Sequence, residues 1–507
     1  MDQIDKLNPY DSFRPGQKET IEKLLEEVRS GSNVLELNSP TGTGKSLMLT
    51  VLCRVLMEEN DGWNSIYTSP QRGLVHQLSN DKRLDIAALL GRSNYPCDRA
   101  KTGLAVDCPI PPKMRRKTCP RCAYQIAKDK FLVAPLGCAT LDKILTDRSI
   151  PKPSIMICDE SQGLEEKLLN NSEIGIPDDV DLNNLVESSK LWIRNIEMEI
   201  MKVETKLEKA FERNMNAELR DFIKEIDTTA MAKTLVRYNR ILAKAQGVLR
   251  VAESDPSSFI ITKDRAFKMM SGRQQFQDMI MNVDLVILAS GTPCTRLLAN
   301  EYQTICAPHP IDVSRRMIYF DPVGRMNVDS RDATMEIMGP KIAELHNRHH
   351  RSTIVHCHSY PIATRLGNII YDEGARCQWV DPKDREGSIK AWMDSDDSVL
   401  MAVACEEGLD LAGEKYPLNI IAKVPFGFRG DEWMLTREKK DKPLPNYQHF
   451  EDVRVATAIQ QAAGRCTRGP EDFSETYIMD ASFEAFYRRN HNLMQPWFKE
   501  ALRRRGE

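Results

Sequence analysis

Two short motifs, far apart in this 507-residue chain, constrain its fold more than any other feature. Residues 39–46 read Ser-Pro-Thr-Gly-Thr-Gly-Lys-Ser, and residues 461–468 read Gln-Ala-Ala-Gly-Arg-Cys-Thr-Arg. The first lies between an apolar run and a helical one, which is typical of a loop that binds nucleotide phosphates. The second offers the glutamine and arginines that an NTPase needs on the far side of the γ-phosphate. Together they predict two lobes that close on one nucleotide.

The apolar runs predict that both lobes are α/β domains with parallel sheets. Runs of strand length alternate with stretches of helical spacing, an order typical of parallel sheets with crossover helices. The runs lie at residues 33–37, 65–68, 154–158, 284–289, 353–357, 399–403, 420–424 and 476–479. Because they fall into one group before about residue 300 and another after about residue 310, we expect one sheet in each lobe.

Two segments interrupt the first group of runs. Residues 93–129 contain four cysteines among Pro, Lys and Arg, and they lack apolar periodicity. Residues 165–262 are rich in Glu, Lys, Arg, Met and Leu, with apolar positions at helical spacing over 191–207 and 234–251. The second segment is therefore predicted to be an inserted helical subdomain. The alternative is a solvated helical hairpin without a function.

The phosphate loop and an acidic strand end supply the first half of a predicted ATPase site. Lys45 would reach the β- and γ-phosphates, and the Ser46 hydroxyl would bind Mg²⁺. The run that ends at residue 158 is followed by two carboxylates. Asp159 would hold Mg²⁺, and Glu160 would orient and deprotonate the attacking water. The turn that approaches the phosphates comprises Thr41, Gly42, Thr43 and Gly44.

The second half of the predicted site comes from the other motif. Arg465 and Arg468 lie three residues apart on a predicted helix, so they share a face and would neutralise charge on the transferred phosphoryl group. Gln461 would position the water. Upstream, Arg14 and Gln17 lie in the sequence Phe-Arg-Pro-Gly-Gln, where the Gln17 amide would pair with the adenine edge. The alternatives are a solvated charged helix and an ordinary surface loop.

Four of the thirteen cysteines form a distinct group. No apolar run is long enough to span a bilayer and the chain begins without a signal-peptide pattern, so we expect an intracellular protein without a disulfide framework. Cys97, Cys108, Cys119 and Cys122 are separated by ten, ten and two residues. Four thiolates with one short pair fit either a zinc site or an iron–sulfur cluster, and a site without metal also stays open.

The charge of the whole chain does not indicate a nucleic-acid partner, but one local basic loop does. The net charge of −3 provides no basic field over the whole molecule. Arg115 and Arg116 belong to a basic loop between the cysteines, and this loop would contact the phosphates of a nucleic acid or would simply be solvated.

The order of these motifs resembles that of the XPD/DinG group of superfamily 2 DNA helicases, which carry an iron–sulfur cluster. The resemblance covers nearly the whole chain, and Gly-Arg-Ser-Asn-Tyr-Pro-Cys at 91–97 points to this group in particular. Ser161 and Gln162 stand where the family has Ala-His, although Gln162 can still hydrogen-bond across the lobes. The motifs similar to the family's Q, I, Ia, II, III, IV, V and VI lie at 13–17, 39–46, 67–77, 159–162, 288–293, 353–360, 407–413 and 461–468.

The resemblance implies an α/β fold of two RecA-like motor domains with two insertions. Motor domain 1 would comprise 1–92, 130–164 and 263–303, the iron–sulfur insertion 93–129, the helical arch 165–262 and motor domain 2 304–507. The four cysteines would hold a [4Fe–4S] cluster, and Asp410 of motif V would join the nucleotide site with ATP and Mg²⁺. The residues implied to contact the DNA strand are Thr68, Ser69, Arg72, Arg115, Arg116, His358, Ser359 and Tyr360.

The implied activity is 5′→3′ translocation of a monomer on single-stranded DNA, with unwinding of forked DNA. Three alternatives stay open. The chain would be a translocase or protein-displacing factor without unwinding, a metal-stabilised nucleic-acid-binding protein that uses ATP as a switch, or an RNA motor. The compartment would be cytoplasm, nucleoid, nucleus or host-cell cytoplasm.

Overall fold

The computed structural model contains two large parallel sheets, a small antiparallel sheet and a long helical hairpin. It describes residues 2–110, 119–215, 228–349, 352–403, 411, 418–427, 430–443, 449–467, 469 and 472–505. The strands are β1 Val34–Asn38, β2 Ser65–Ser69, β3 Ala87–Leu89, β4 Leu136–Thr140, β5 Ile155–Asp159, β6 Ile174–Gly175, β7 Phe259–Ile261, β8 Ala266–Met269, β9 Leu285–Ser290, β10 Gln303–Cys306, β11 Ile318–Gly324, β12 Thr353–His356, β13 Cys377–Trp379, β14 Val399–Ala402, β15 Leu418–Ile421, β16 Glu475–Asp480 and β17 Leu502–Arg504.

Helices connect these strands and cover the two large sheets. The α-helices are α1 Gln3–Leu7, α2 Gln17–Arg29, α3 Lys45–Glu59, α4 Arg72–Asn80, α5 Ala123–Val133, α6 Leu141–Thr146, α7 Leu164–Ser172, α8 Leu185–Met215, α9 Thr229–Ser254, α10 Arg273–Ile280, α11 Arg331–His349, α12 Tyr360–Asp372, α13 Arg385–Met393, α14 Glu432–Asp441, α15 Phe450–Ala463, α16 Ser482–Asn490 and α17 Pro496–Ala501. None of the helices in the described ranges is long and apolar enough to cross a membrane.

The first large sheet has seven parallel strands in the order β10-β1-β9-β5-β2-β4-β3. Its central strands are buried along their whole length because helices cover both faces, as in other parallel sheets. The carboxyl ends of β1, β9 and β5 meet at one edge, since Asn38 pairs with Ser290 and Asp159 pairs with Ala289. This edge positions the candidate site.

The second large sheet also has seven parallel strands, in the order β13-β14-β12-β15-β16-β11-β17. Each lobe has a buried apolar core built on its own sheet. The predicted α/β fold with two RecA-like lobes is therefore confirmed. The series of predicted runs anticipates the central strands and omits short or peripheral ones such as β3, β10, β13 and β17.

The first lobe reaches slightly farther along the chain than the predicted boundary at residue 303. Strand β10 pairs with β1, in register from Gln303 to Cys306, so it belongs to the first sheet. Strand β10 lies at the edge of the sheet, where three of its four residues are exposed, and this weakens its pattern in the sequence.

The inserted unit between α7 and β9 is a helical hairpin with a small sheet at its base. Helices α8 and α9 pack along each other around buried residues such as Trp192 and Leu235. Strands β6, β8 and β7 form the antiparallel sheet, and Phe267 of β8 joins the same core. The unit therefore extends past the predicted end at residue 262, because strands of two to four residues are too short to show a periodic pattern.

Candidate nucleotide site between the lobes

The loop between β1 and α3 has the backbone of a phosphate-binding turn. Gly42 and Gly44 adopt left-handed φ angles of 81° and 80°, which disfavour any residue with a Cβ atom. A Cβ atom on Gly44 would also lie 2.3 Å from the side-chain nitrogen of Gln17. Helix α3 begins at Lys45, so its N-terminal N–H groups face the loop, as in anion-binding sites.

Hydrogen bonds within the loop fix its shape. The Thr43 hydroxyl donates to the Pro40 carbonyl at 2.9 Å and contacts the Ser39 hydroxyl. Lys45 Nζ donates to the Ser39 carbonyl at 3.4 Å and lies 3.9 Å from Glu160 Oε1. The lysine side chain is 11% exposed, so its charge lies inside the site and faces the acidic strand end.

Asp159 and Ser46 lie on either side of a tyrosine that the sequence analysis does not single out. Tyr67 donates its hydroxyl hydrogen to Asp159 Oδ2 at 2.6 Å, and the Tyr67 hydroxyl oxygen lies 3.3 Å from Ser46 Oγ. Burial raises the pKa of Asp159, and the nearby Lys45 ammonium opposes this shift. Burial and the Asp159 charge raise the pKa of Tyr67, so the phenol stays a hydrogen-bond donor.

Glu160, the predicted base, has an unusual backbone. Its φ of 52° lies in the left-handed region, which costs a non-glycine residue about 1–2 kcal/mol. The Glu160 N–H donates to Asp159 Oδ1 at 2.9 Å, which holds the two acids in this turn. Strained backbone of this kind concentrates at functional sites, where the surrounding structure stabilises it.

A chain of polar contacts connects Glu160 to the second lobe. Gln162 Nε2 donates to Glu160 Oε2 at 3.0 Å, and Ser290 Oγ donates to Gln162 Oε1 at 2.6 Å. Ser290 Oγ also accepts from the Thr292 N–H at 2.9 Å, and Gln461 Nε2 donates to Thr292 Oγ1 at 3.3 Å. Gln162, which departs from the family pattern, thus makes the first of the contacts that lead from Glu160 to the second lobe.

The second lobe also contacts the phosphate loop directly. Thr41 Oγ1 donates to the carbonyl of Thr467 at 3.1 Å and approaches that of Gly464 at 3.4 Å. Arg465, between these two carbonyls in sequence, is partly exposed in the turn after α15, which ends at Ala463, so the predicted helix stops before it. The predicted contacts Arg468 and Asp410 lie outside the described residues.

Gln17 forms a hydrogen bond with the backbone of the phosphate loop. Its Nε2 donates to the Thr43 carbonyl at 2.7 Å, and its Oε1 accepts from the Arg14 N–H at 2.8 Å. Arg14 Nη1 donates to the Gly42 carbonyl at 2.9 Å. Both residues therefore support the loop, while the contact of Gln17 with adenine and the binding of nucleotide by Arg14 stay predictions.

Of the residues predicted to contact a nucleic-acid strand, some are buried and others are exposed. Thr68 donates to the Ile157 carbonyl at 2.8 Å and Ser69 Oγ accepts from the Gln71 N–H at 3.2 Å. Thr68 and Ser69 are fully buried in the sheet, so their hydroxyls support the fold, and their contact with a nucleic-acid strand stays a prediction. Arg72 is exposed at the start of α4.

The motif IV residues lie at the carboxyl end of β12. His358 has a left-handed φ of 66° and is partly exposed, and Ser359 precedes α12. Tyr360 begins α12 with 40% of its surface exposed. These positions stay candidates for strand contact, whereas Arg115 and Arg116 lie outside the described residues.

The four cysteines of the insertion belong to one apolar cluster. Cys97, Cys108 and Cys122 are buried in it, and Cys119 packs against the cluster. Burial and the neighbouring Cys122 and Cys97 thiols raise the pKa of Cys119. Within the described ranges, no group of three or more His, Cys, Asp or Glu side chains is arranged to hold a metal ion.

Comparisons with known proteins agree with this architecture. Residues 14–93 match the DEAD/DEAH box helicase family, and residues 342–501 match the helicase C-terminal domain family. The two ranges contain the phosphate loop and the Gln461 motif, respectively. No curated protein matches the sequence significantly.

Solved structures are similar to almost the whole chain, among them two XPD proteins. An XPD helicase has 15% identity and a TM-score of 0.62, with 98% of this chain and 100% of that chain covered. Xpd4 of S. tokodaii has 15% identity and a TM-score of 0.53, with coverages of 97% and 100%. At this identity the likeness concerns the fold.

Proposed function

We propose that this chain, an XPD/DinG-like superfamily 2 helicase, is an ATP-dependent DNA helicase that moves 5′→3′ along single-stranded DNA. The observation that carries the proposal is the continuous contact from Glu160 through Gln162, Ser290 and Thr292 to Gln461 of the second lobe. Through these contacts, the position of the second lobe would influence the Glu160 carboxylate beside the phosphates. Coupling of this kind is what a motor needs.

Each residue around the loop would have a separate role in ATP hydrolysis. Lys45 and the N–H groups of the loop bind the phosphates, and Ser46 and Asp159 would hold Mg²⁺. The metal ion would neutralise charge on the β- and γ-phosphates. Glu160 takes the proton of the attacking water, and Gln461 with Arg465 completes the site from the second lobe.

A cavity of about 1160 Å³ between the helical hairpin and the first lobe supports passage of a strand. Its walls come from α8, α9, the region after α6 and the base of the cysteine insertion. Seven basic side chains line it against four acidic ones, a balance that suits a phosphate backbone. The basic ones are Arg92, Lys143, Arg148, Lys152, Arg240, Lys244 and Arg250.

The cysteine cluster suits a sulfur-ligated group beside this cavity. The four cysteines share one apolar cluster, and four cysteine thiolates are the donor set of a [4Fe–4S] cluster. Arg92 and Tyr124, which flank the cysteines in sequence, both line the cavity. A rigid metal-centred insertion would then form part of the wall along which the strand moves.

Measurements with defined nucleic acids test the proposal. ATP turnover should rise with single-stranded DNA, and forks with a 5′ tail should be opened in preference to forks with a 3′ tail. Single-stranded RNA of the same sequence tests the RNA alternative. Lys45→Ala should abolish turnover and unwinding while retaining DNA binding.

The alternatives give different results in the same experiments. Displacement of streptavidin from a biotinylated strand without separation of the fork would indicate a translocase. Full activity of Lys45→Ala, or turnover that is independent of nucleic acid, would refute the motor and favour an ATP switch.

A further inference from the structure

Tyr67 lies at the centre of the candidate metal site, although the motifs assign it no role there. It is fully buried on β2, between β4 and β5. Its hydroxyl contacts both groups expected to hold Mg²⁺, Asp159 at 2.6 Å and Ser46 at 3.3 Å. These two groups come from chain positions 113 residues apart, and the phenol is a bridge between them.

The number of protons defines the direction of both hydrogen bonds. A phenol has one hydrogen, and a carboxylate can only accept, so Tyr67 donates to Asp159. The contact with Ser46 then requires the serine to donate, because the phenol hydrogen is already used. The Ser46 oxygen keeps its lone pairs free, as a hydroxyl that binds a cation must.

The carboxylate is oriented in a similar way. Asp159 accepts from Tyr67 through Oδ2 and from the Glu160 N–H through Oδ1 at 2.9 Å, so both oxygens are held. Rotation of the carboxylate away from this position would break both hydrogen bonds.

We propose that Tyr67 is a positioning residue that orients Ser46 and Asp159 for the metal ion of the bound nucleotide, an inference that rests on the proposed ATPase function. Groups that hold metal ligands in place contribute about 10–100-fold to metal affinity. The phenylalanine variant Tyr67→Phe keeps the ring and removes only the hydroxyl, so packing of the sheet is retained.

The decisive quantity is the factor by which Mg²⁺ tightens ATP binding. Equilibrium titrations with a fluorescent ATP analogue, in EDTA and in saturating Mg²⁺, give this factor without any catalytic turnover. We expect Tyr67→Phe to lower it about 10-fold or more, with metal-free affinity within about twofold of wild type. Unchanged metal-free affinity also shows that the variant is folded.

A matched control separates the site from a general effect of removing a buried phenol. Tyr477 is also buried on a strand, and its hydroxyl donates to a carboxylate, Glu475, at 3.0 Å. Tyr477→Phe should leave the Mg²⁺ factor unchanged. Ser46→Ala should lower the factor, and the double variant with Tyr67→Phe should lose less than the product of the two single effects.

The outcomes distinguish this inference from the proposed function. A wild-type protein that binds ATP no more tightly with Mg²⁺ would overturn the ATPase site and the role of Tyr67 together. A normal Mg²⁺ factor in the wild type that Tyr67→Phe leaves unchanged would overturn the role of Tyr67 only. Strictly multiplicative losses with Ser46→Ala would also contradict it, because the two hydroxyls would then act independently.

Discussion

The buried ion pair between Glu165 and Arg437 should be the most sensitive contact between the lobes. Glu165 lies on α7, directly after the acidic turn, and Arg437 lies on α14 of the second lobe. Arg437 Nη2 donates to Glu165 Oε1 at 2.6 Å, and each side chain is only 3% exposed. Glu165 also accepts from the Gly272 N–H at 3.2 Å, and Arg437 donates to Asp441 at 3.1 Å.

Removing one partner should cost far more than removing both. Arg437→Met leaves a buried carboxylate without its cation, and such changes cost about 3–5 kcal/mol. Glu165 Oε2 and Arg437 Nη1 are buried and without a hydrogen-bond partner within the described residues, so the native pair is incompletely satisfied. The free energy of unfolding of the neutral double variant, Glu165→Gln with Arg437→Met, should therefore lie within about 1 kcal/mol of the wild-type value.

The single variant should also depend on pH in a defined direction. Burial already raises the pKa of Glu165, and Arg437 opposes that shift. Without the arginine the folded state binds the Glu165 proton more tightly than the unfolded state does. The cost of Arg437→Met should therefore be small near the ordinary carboxyl pKa of about 4.3 and should grow as pH rises above it.

Urea unfolding followed by tryptophan fluorescence at pH 5 and pH 7.5 measures these effects. An exposed pair provides the control, because Arg348→Met removes a partner of Glu344 at 2.9 Å with both side chains more than half exposed. That change should cost less than about 0.5 kcal/mol. A cost below 1 kcal/mol for Arg437→Met, or a double variant as unstable as the single one, would refute the reasoning.

Three further changes test the loop, the contact between lobes and the cysteine cluster. Gly44→Ala should weaken ATP binding at least about tenfold in equilibrium titrations, because the residue needs a positive φ and lacks room for a Cβ atom. Thr292→Val should lower kcat of the ATPase about tenfold with little change in ATP affinity, because it breaks the contact with the second lobe. Cys119→Ser should lose iron and the absorbance band near 400 nm of anaerobically purified protein.

Controls for these changes exist in the same lobe. Gly62 has the same φ of 80°, but a Cβ atom there meets nothing within 4 Å in the described structure, so Gly62→Ala should leave ATP binding unchanged. Cys53 is buried in the core away from the insertion, and Cys53→Ser should retain the iron. Equal effects in control and test variants, or a Thr292→Val variant that changes affinity but not kcat, would contradict the assignments.

Local sequence patterns suffice for the parts of the fold that depend on neighbouring residues. The buried central strands, such as β5 and β9, appear as continuous apolar runs because both of their faces are covered. The phosphate loop is equally local, since Gly42 and Gly44 supply the left-handed turns and α3 starts directly afterwards.

Patterns of this kind do not indicate which polar groups are buried or to what they bind. Thr68 belongs to a motif expected to contact a strand, yet its hydroxyl is bound to the neighbouring strand inside the sheet. Short strands such as β6 and β7 escape notice because their pairing with β8, rather than their own sequence, stabilises them.

The sequence by itself therefore determined that this chain has two α/β lobes, a phosphate loop and an acidic strand end. Only the tertiary structure decided how these parts are joined. The contact of Tyr67 with Asp159 spans 92 residues and that of Thr292 with Gln461 spans 169. Contacts of this range depend on the order of strands in a sheet and on the approach of the lobes. Neither leaves a periodic signal along the chain, because the residues that meet are set by the folded arrangement.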